Sequence, residues 1–283
     1  MLGIVLTFIG TLFDEISGSI GKNQANHNKE SPYTMAFLSL FWASIFFLLF
    51  SITKTNSFVF DLRSLPTFCI RSILEIAQLY LSILALIKAD RSTFSFIRTI
   101  TIPSLLVVDI FLGYSINLEQ MAGLTLIILA LVFMFSRHSI GKKGAGLATI
   151  SAINAVITTS LFKYDITHYN SVIAEQLLIT LILLVCFSII IILKEKRSPL
   201  SLFGNITFSI QSITSGIGSI FESYAYNYGV ASVLMATKRS SSILLAIISG
   251  NIFFKERHTA VKIVVFLLLS LGTLLLALGA SNL

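Results

Sequence analysis

Along its length the sequence alternates long apolar runs with short polar joints, and each run is close to the roughly 20 residues that a helix needs to cross a bilayer core. The pattern predicts ten helical spans, near 2–21, 33–53, 66–87, 91–112, 118–136, 146–164, 172–193, 204–228, 231–253 and 260–280. The longest joints, 22–32 and 54–65, are too short to fold as domains, so any chemistry is expected inside the helical bundle. The first span has no positively charged leading segment and carries Asp14 and Glu15, which points to a membrane span and not a signal peptide.

Polar residues interrupt some spans on one face only. In span 1, Thr7, Thr11, Asp14, Glu15, Gly18 and Lys22 recur at helical spacing, and in span 3 Arg71, Glu75, Gln78 and Ser82 do the same. Span 4 offers Ser95, Arg98 and Asp109; span 6, Ser151, Asn154 and Thr158; span 8, Gln211, Ser215, Gly218, Glu222 and Tyr226; span 9, Lys238, Arg239 and Ser242. The middles of spans 2, 5 and 10 are almost wholly apolar and are expected to face lipid, and span 7 is apolar after Glu175 and Gln176. Ionisable groups at membrane depth cost about 2.5–3.5 kcal/mol on insertion scales and turn toward a bundle interior or cavity. Spans 1, 3, 4, 6, 8 and 9 are therefore expected to enclose a polar space.

Composition agrees with that picture. Of 283 residues, 55% are hydrophobic and 12% charged, against about 25% charged in soluble domains, and the mean hydropathy is +0.90. The net charge of +7 does not indicate nucleic acid, because the bases lie between apolar runs. With the ten spans numbered in order, thirteen Lys and Arg fall on one side and four on the other. By the positive-inside rule the richer side is cytoplasmic, and both termini are expected outside. The two cysteines, Cys69 and Cys186, lie in apolar runs and form no metal or disulfide pattern, and the four histidines (His27, His138, His168, His258) have no ligand spacing. No phosphate-binding loop is present, so the chain alone does not drive transport with ATP.

The sequence also resembles itself at an offset of 141 residues, with Gly3/Gly144, Leu6/Leu147, Ile9/Ile150, Ile16/Ile157, Ser19/Ser160, Lys22/Lys163 and His27/His168, and further on Arg98/Arg239, Ile102/Ile243 and Leu126/Leu267. Repeats of five spans would run 1–137 and 138–283, and an odd number forces the halves into opposite orientations. In the first copy Pro103 and Gly123 flank Ser115; in the second, Glu256 precedes Gly272, with Leu244 and Val264 at the other motif places. In this layout and these motif remnants the chain resembles the drug/metabolite transporter superfamily, of the EamA-like kind. That resemblance implies an all-α integral membrane protein of ten transmembrane helices in two inverted five-helix repeats, with the polar-faced helices lining a central cavity.

The candidate substrate-binding residues are Glu15, Glu75, Gln78, Arg98, Asn154, Glu222, Tyr226, Lys238 and Arg239. Arg71 and Glu75, four residues apart, can pair with each other, and Glu222 can neutralise Lys238 or Arg239. Arg239 is the expected partner, which leaves Arg98 to Glu75, Asp14, Glu15 or the solute itself. Tyr224 and Tyr228 fit an interfacial aromatic belt, and Tyr226, one turn from Glu222, is expected to face inward. Carboxylates and bases together suit a zwitterionic or anion-bearing metabolite, such as an amino acid or a nucleoside-derived compound, moved by alternating access. A carboxylate could carry a coupling proton. Multidrug or toxic-cation efflux is the alternative. The expectation is a non-enzymatic, multi-pass permease of a bacterial plasma (inner) membrane, a monomer or weak dimer, with no cofactor, metal or nucleic acid.

Overall fold

The computed structural model describes residues 2–53, 58–111, 117–136, 143–252 and 259–281. The described residues form helices and contain no strand: α1 (Leu2–Asn26), α2 (Pro32–Thr53), α3 (Leu65–Lys88), α4 (Arg91–Arg98), α5 (Thr101–Phe111), α6 (Leu118–Ser136), α7 (Ala145–His168), α8 (Val172–Glu195), α9 (Ile206–Ala225), α10 (Ala231–Ile252) and α11 (Thr259–Ser281), with short 3₁₀ turns at Leu62–Ser64 and Pro199–Gly204. Six helical stretches are long and apolar enough to cross a membrane.

The burial pattern also fits an apolar surrounding. Helix α1 buries Gly3, Thr7, Gly10, Thr11, Ser17, Gly21 and Lys22 while Leu2, Val5, Phe8, Leu12 and Ile16 face outward. Helix α7 buries Ala148, Ser151, Ala152, Ala155 and Thr158 and turns Ile150, Ile153 and Ile157 outward. In water this arrangement would leave large apolar stripes exposed. Six spanning helices with small and polar faces turned inward belong to a multi-pass membrane protein.

Inside, large side chains form two clusters. One gathers Phe37, Leu38, Phe68, Phe187 and their neighbours from α2, α3 and α8. The other gathers Phe96, Ile102, Ile127, Ile243 and Leu269 from α4, α5, α6, α10 and α11. Helix α1 belongs to neither cluster and instead packs closely along α9. A Cβ on Gly10 would lie 2.9 Å from both the Glu222 nitrogen and the Gly218 oxygen, and one on Gly218 would lie 2.9 Å from the Gly10 oxygen. Small residues let the two backbones approach, as in many membrane helix pairs. Helices α6 and α11 cross in the same way: a Cβ on Gly272 would meet the Gly123 oxygen at 2.9 Å.

Two expectations need correction. The predicted span 91–112 is broken into α4 and α5 at Thr99–Ile100, because Pro103 has no N–H for the Thr99 carbonyl and its ring crowds that oxygen. Thr99 and Ile100 instead make i→i+3 bonds to Phe96 and Ile97, at 3.0 and 3.2 Å. The second correction concerns α2, which does not simply face lipid. It packs against α8 and α9 with Ala36, Leu38 and Phe47 wholly buried, since an apolar helix can satisfy a protein interior as well as a bilayer.

Gly10→Ala and Gly218→Ala should each lower the melting temperature of the detergent-solubilised protein, through overpacking of about 1–3 kcal/mol. Gly146→Ala, where the added Cβ meets nothing within 4 Å, should leave it unchanged.

Candidate functional site

Two chambers open between the polar helix faces. The first, about 240 Å³, is bounded by α3, α7, α8 and the C-terminal half of α9, including Arg71, Glu75, Thr158, Gln176, Glu222 and Tyr226. The second, about 280 Å³, lies among α1, α2, α3, α4, α9 and α10, with Asp14, Glu15, Arg91, Arg98, Lys238 and Arg239 in its wall. Leu40, Leu79 and Ser219 line both chambers, so they meet at a shared waist. The helices expected to enclose a polar space all contribute. So do α2 and α8, which the apolar middles of their sequences concealed.

Charge in the first chamber is organised by Arg71. Its Nη1 lies 2.6 Å from Oε1 of Glu175, whose side chain is 0% exposed, while Glu75 is 3.8 Å away and partly open to the cavity. The expected Arg71–Glu75 pair is therefore secondary to a cross-helix pair with α8. Asn170 Nδ2 donates to the other Glu175 oxygen at 2.7 Å, and the Arg71 guanidinium sits 4.5 Å from the Phe162 ring centroid. Tyr226 packs edge-on against Phe162 at 5.3 Å.

In the second chamber each carboxylate is already engaged. Glu15 pairs with Arg91 and accepts from Ser242 Oγ at 2.6 Å. Lys238 bonds to Glu222 and approaches Asp14 at 3.5 Å. Thr11 Oγ1 lies 3.4 Å from Glu222. The expected Glu222–Arg239 pair is thus replaced by Glu222–Lys238. Successive residues on α10 point about 100° apart, and it is Lys238 that turns toward α9 and α1. Arg239 Nε instead donates to Thr101 Oγ1 at 3.3 Å, and that hydroxyl donates to the Arg98 carbonyl at 2.8 Å. Arg98 lies 5.2 Å from the Phe94 ring centroid, and its buried Nε has no hydrogen-bond partner.

Seven of the nine candidate residues line these chambers: Glu15, Glu75, Arg98, Glu222, Tyr226, Lys238 and Arg239. Gln78 and Asn154 line neither; they join α3 to α7. Gln78 Nε2 donates to Ser82 and Ser151 at 3.0 and 3.2 Å, and Asn154 Nδ2 to the Leu74 carbonyl at 2.9 Å. Lys22, on the polar face of span 1, is buried and donates to the Ala89 carbonyl, and Arg91, which the sequence did not single out, is buried too. A base at the first position of a helix, as Arg91 is in α4, does not by itself reveal that it folds back onto a neighbour. Ser115, Glu256, His138 and His258 lie outside the described residues. Among the described residues no group of three His, Cys, Asp or Glu could hold a metal.

No family model matches the chain, and no curated protein matches it. A solved structure described only as a crystal structure of a protein is similar over 99% of this chain and 98% of its own, with a TM-score of 0.64 at 12% identity. The likeness is one of fold along the whole chain.

At the end of the second chamber, in the joint between α1 and α2, Glu30 accepts from Gln211 Nε2 at 2.8 Å. Burial pushes its carboxyl up to about 8, against the smaller opposing effects of Gln211 and Arg197. The folded state therefore holds a proton that the unfolded chain has released above its ordinary value of 4.5. Stability should fall as pH rises from about 4.5 to about 8 and then level off. Glu30→Gln should flatten that part of a melting-temperature profile.

Lys238→Met leaves Asp14 and Glu222 without their cation and should destabilise the protein by about 3 kcal/mol. Adding Glu222→Gln should recover part of the loss in thermal unfolding. The same addition should not rescue Arg239→Ala, because Arg239 does not hold Glu222.

Proposed function

We propose that this protein is a secondary transporter of small zwitterionic or anion-bearing metabolites in a bacterial plasma membrane, working by alternating access between two inverted five-helix halves of the drug/metabolite transporter type. The observation that carries the proposal is the pair of charged chambers meeting at Leu40, Leu79 and Ser219 in the middle of a bundle of apolar-surfaced helices. Such a bundle needs no charged interior to pack. Leucine, isoleucine and glycine suffice, and buried charges in membrane proteins mark solute or ion pathways.

The packing supports the two-fold part of the reading. Taking α4 and α5 as one span, helix pairs exchange when the halves are swapped: α1 on α9 corresponds to α7 on α3, and α1 on α10 to α7 on α4 and α5. Pairs α2·α8 and α6·α11, and α10 with α4 and α5, map onto themselves. The polar coincidences in the sequence have matching roles. Lys22 donates to the Ala89 carbonyl just beyond α3, and Lys163 donates to the Tyr226 and Gly229 carbonyls just beyond α9. His27 and His168 each engage the carbonyl four residues back, at 2.8 and 2.9 Å. Gly123 and Gly272 meet at the α6·α11 crossing.

Arg98 and Arg239 supply planar donors for a carboxylate or phosphate, a feature with no use in a pump for cations alone. The test is counterflow: proteoliposomes loaded with a pool of amino acids, organic acids and nucleosides should accumulate a labelled member of the pool against no gradient and with saturation. Uptake that never saturates would indicate a channel. Uptake of quaternary amines alone would indicate a cation exporter.

A further inference from the structure

The second chamber has a charge inventory that narrows its ligand. Resting on the transporter reading, we infer that it binds an organic monoanion through a carboxylate held by Arg98 and Arg239, and that it requires no amine on the solute. Four bases line it, Arg91, Arg98, Lys238 and Arg239, against two carboxylates, Asp14 and Glu15, and a third, Glu222, reaches Lys238 from the wall of the first chamber. Glu15 is paired with Arg91, and Asp14 and Glu222 share Lys238. Among the described residues no carboxylate comes within ion-pair distance of Arg98 or Arg239.

Arg239 is 3% exposed, and its Nε donates to one hydroxyl, Thr101 Oγ1. Arg98 keeps a buried Nε without any partner. A guanidinium inside an apolar bundle without a carboxylate beside it has an uncompensated charge, which an anion from outside would balance. Arg239 and Arg98 both line the chamber, and Thr101 links the Arg239 side chain to the backbone carbonyl of Arg98. Ser95 and Ser242, 3.1 Å apart, add hydroxyls nearby, with Ser242 also donating to Glu15.

Net charge separates this ligand from a zwitterion. An anion of charge −1 brings the chamber from its surplus of one positive charge to neutrality, whereas a zwitterion leaves the surplus in place. Its ammonium would also compete with Arg91 or Lys238 for carboxylates that these bases already contact.

Matched compounds test the inference on the purified full-length protein. Calorimetric titration and thermal shift would compare 2-oxoisocaproate, leucine and leucinamide, then phenylpyruvate, phenylalanine and phenylalaninamide, with a series of plain monocarboxylates from acetate upward. Oxo acids and plain monocarboxylates should bind about tenfold or more tightly than amino acids, and the amides should not bind. Arg98→Gln and Arg239→Lys should each weaken the anion by about tenfold or more, with Arg98→Gln keeping the wild-type melting temperature. Amino acids binding as tightly as their oxo acids would overturn the inference and leave the transporter reading standing. So would a carboxylate series in which no member binds, or anion affinity untouched in both variants. Oxo acids that bind but show no counterflow would leave the anion site standing and overturn the transport reading.

Discussion

A charge placed among apolar helices has to find an opposite charge, because removing either ion from water costs several kcal/mol that only a close partner returns. That constraint organises the interior of this protein. Arg71 reaches across to Glu175, Arg91 to Glu15, and Lys238 to Glu222 and Asp14. Each pair joins two different helices, and all but Lys238–Glu222 join helices distant in sequence, so the ion pairs fix which helix faces meet as well as satisfying the charges. The glycines at the α1·α9 crossing serve the same end. Gly10 and Gly218 bring the backbones close enough for Asp14, Glu222 and Lys238 to share one space.

Much of this was legible in the sequence. Apolar runs of spanning length gave the helices, since each helix in a membrane must satisfy its own backbone. One-sided polar spacing picked out the faces of α1, α3, α7, α9 and α10 that turn inward. What was not legible follows from geometry that spacing cannot carry. Arg71 has Glu75 one turn away on its own helix, yet the more deeply buried Glu175 on α8 takes it. Lys238 and Arg239 are adjacent in sequence, and only the rotation of α10 decides which of them meets Glu222. Gln78 and Asn154 have the same sequence signature as a site residue, but their partners are hydroxyls and a carbonyl between α3 and α7. Polar residues used as interhelical hydrogen bonds and polar residues used for ligands look alike until the neighbouring helix is known.

The weakly matching repeat illustrates how little sequence is needed to preserve a role. Few residues coincide between the halves, yet Lys22 and Lys163 both hold carbonyls at the joint that follows a polar-faced helix. A helix end leaves its last carbonyls without intrahelical donors, and in an apolar surrounding water cannot supply them. An ammonium at that place satisfies them and meets the negative end of the helix dipole. The apolar positions between such points can drift freely, because one aliphatic side chain packs nearly as well as another.

The same logic explains why the two repeat-related arginines need not be equivalent. Arg98 lies on a short helix that stops at Thr99, four residues before Pro103, whereas Arg239 lies within the continuous α10. The break gives the first copy a hydroxyl, Thr101, that accepts from Arg239 and donates to the carbonyl of Arg98. The second copy has Leu244 where the first has proline, and its helix runs on without a turn. One half thus supplies the break and the acceptor, the other the donor that uses it. An asymmetric pair of guanidiniums results, one tied to the opposite half and one resting over its own Phe94. That asymmetry gives the chamber two different guanidiniums: Arg239 reaches from α10 to α5, and Arg98 stays over its own helix.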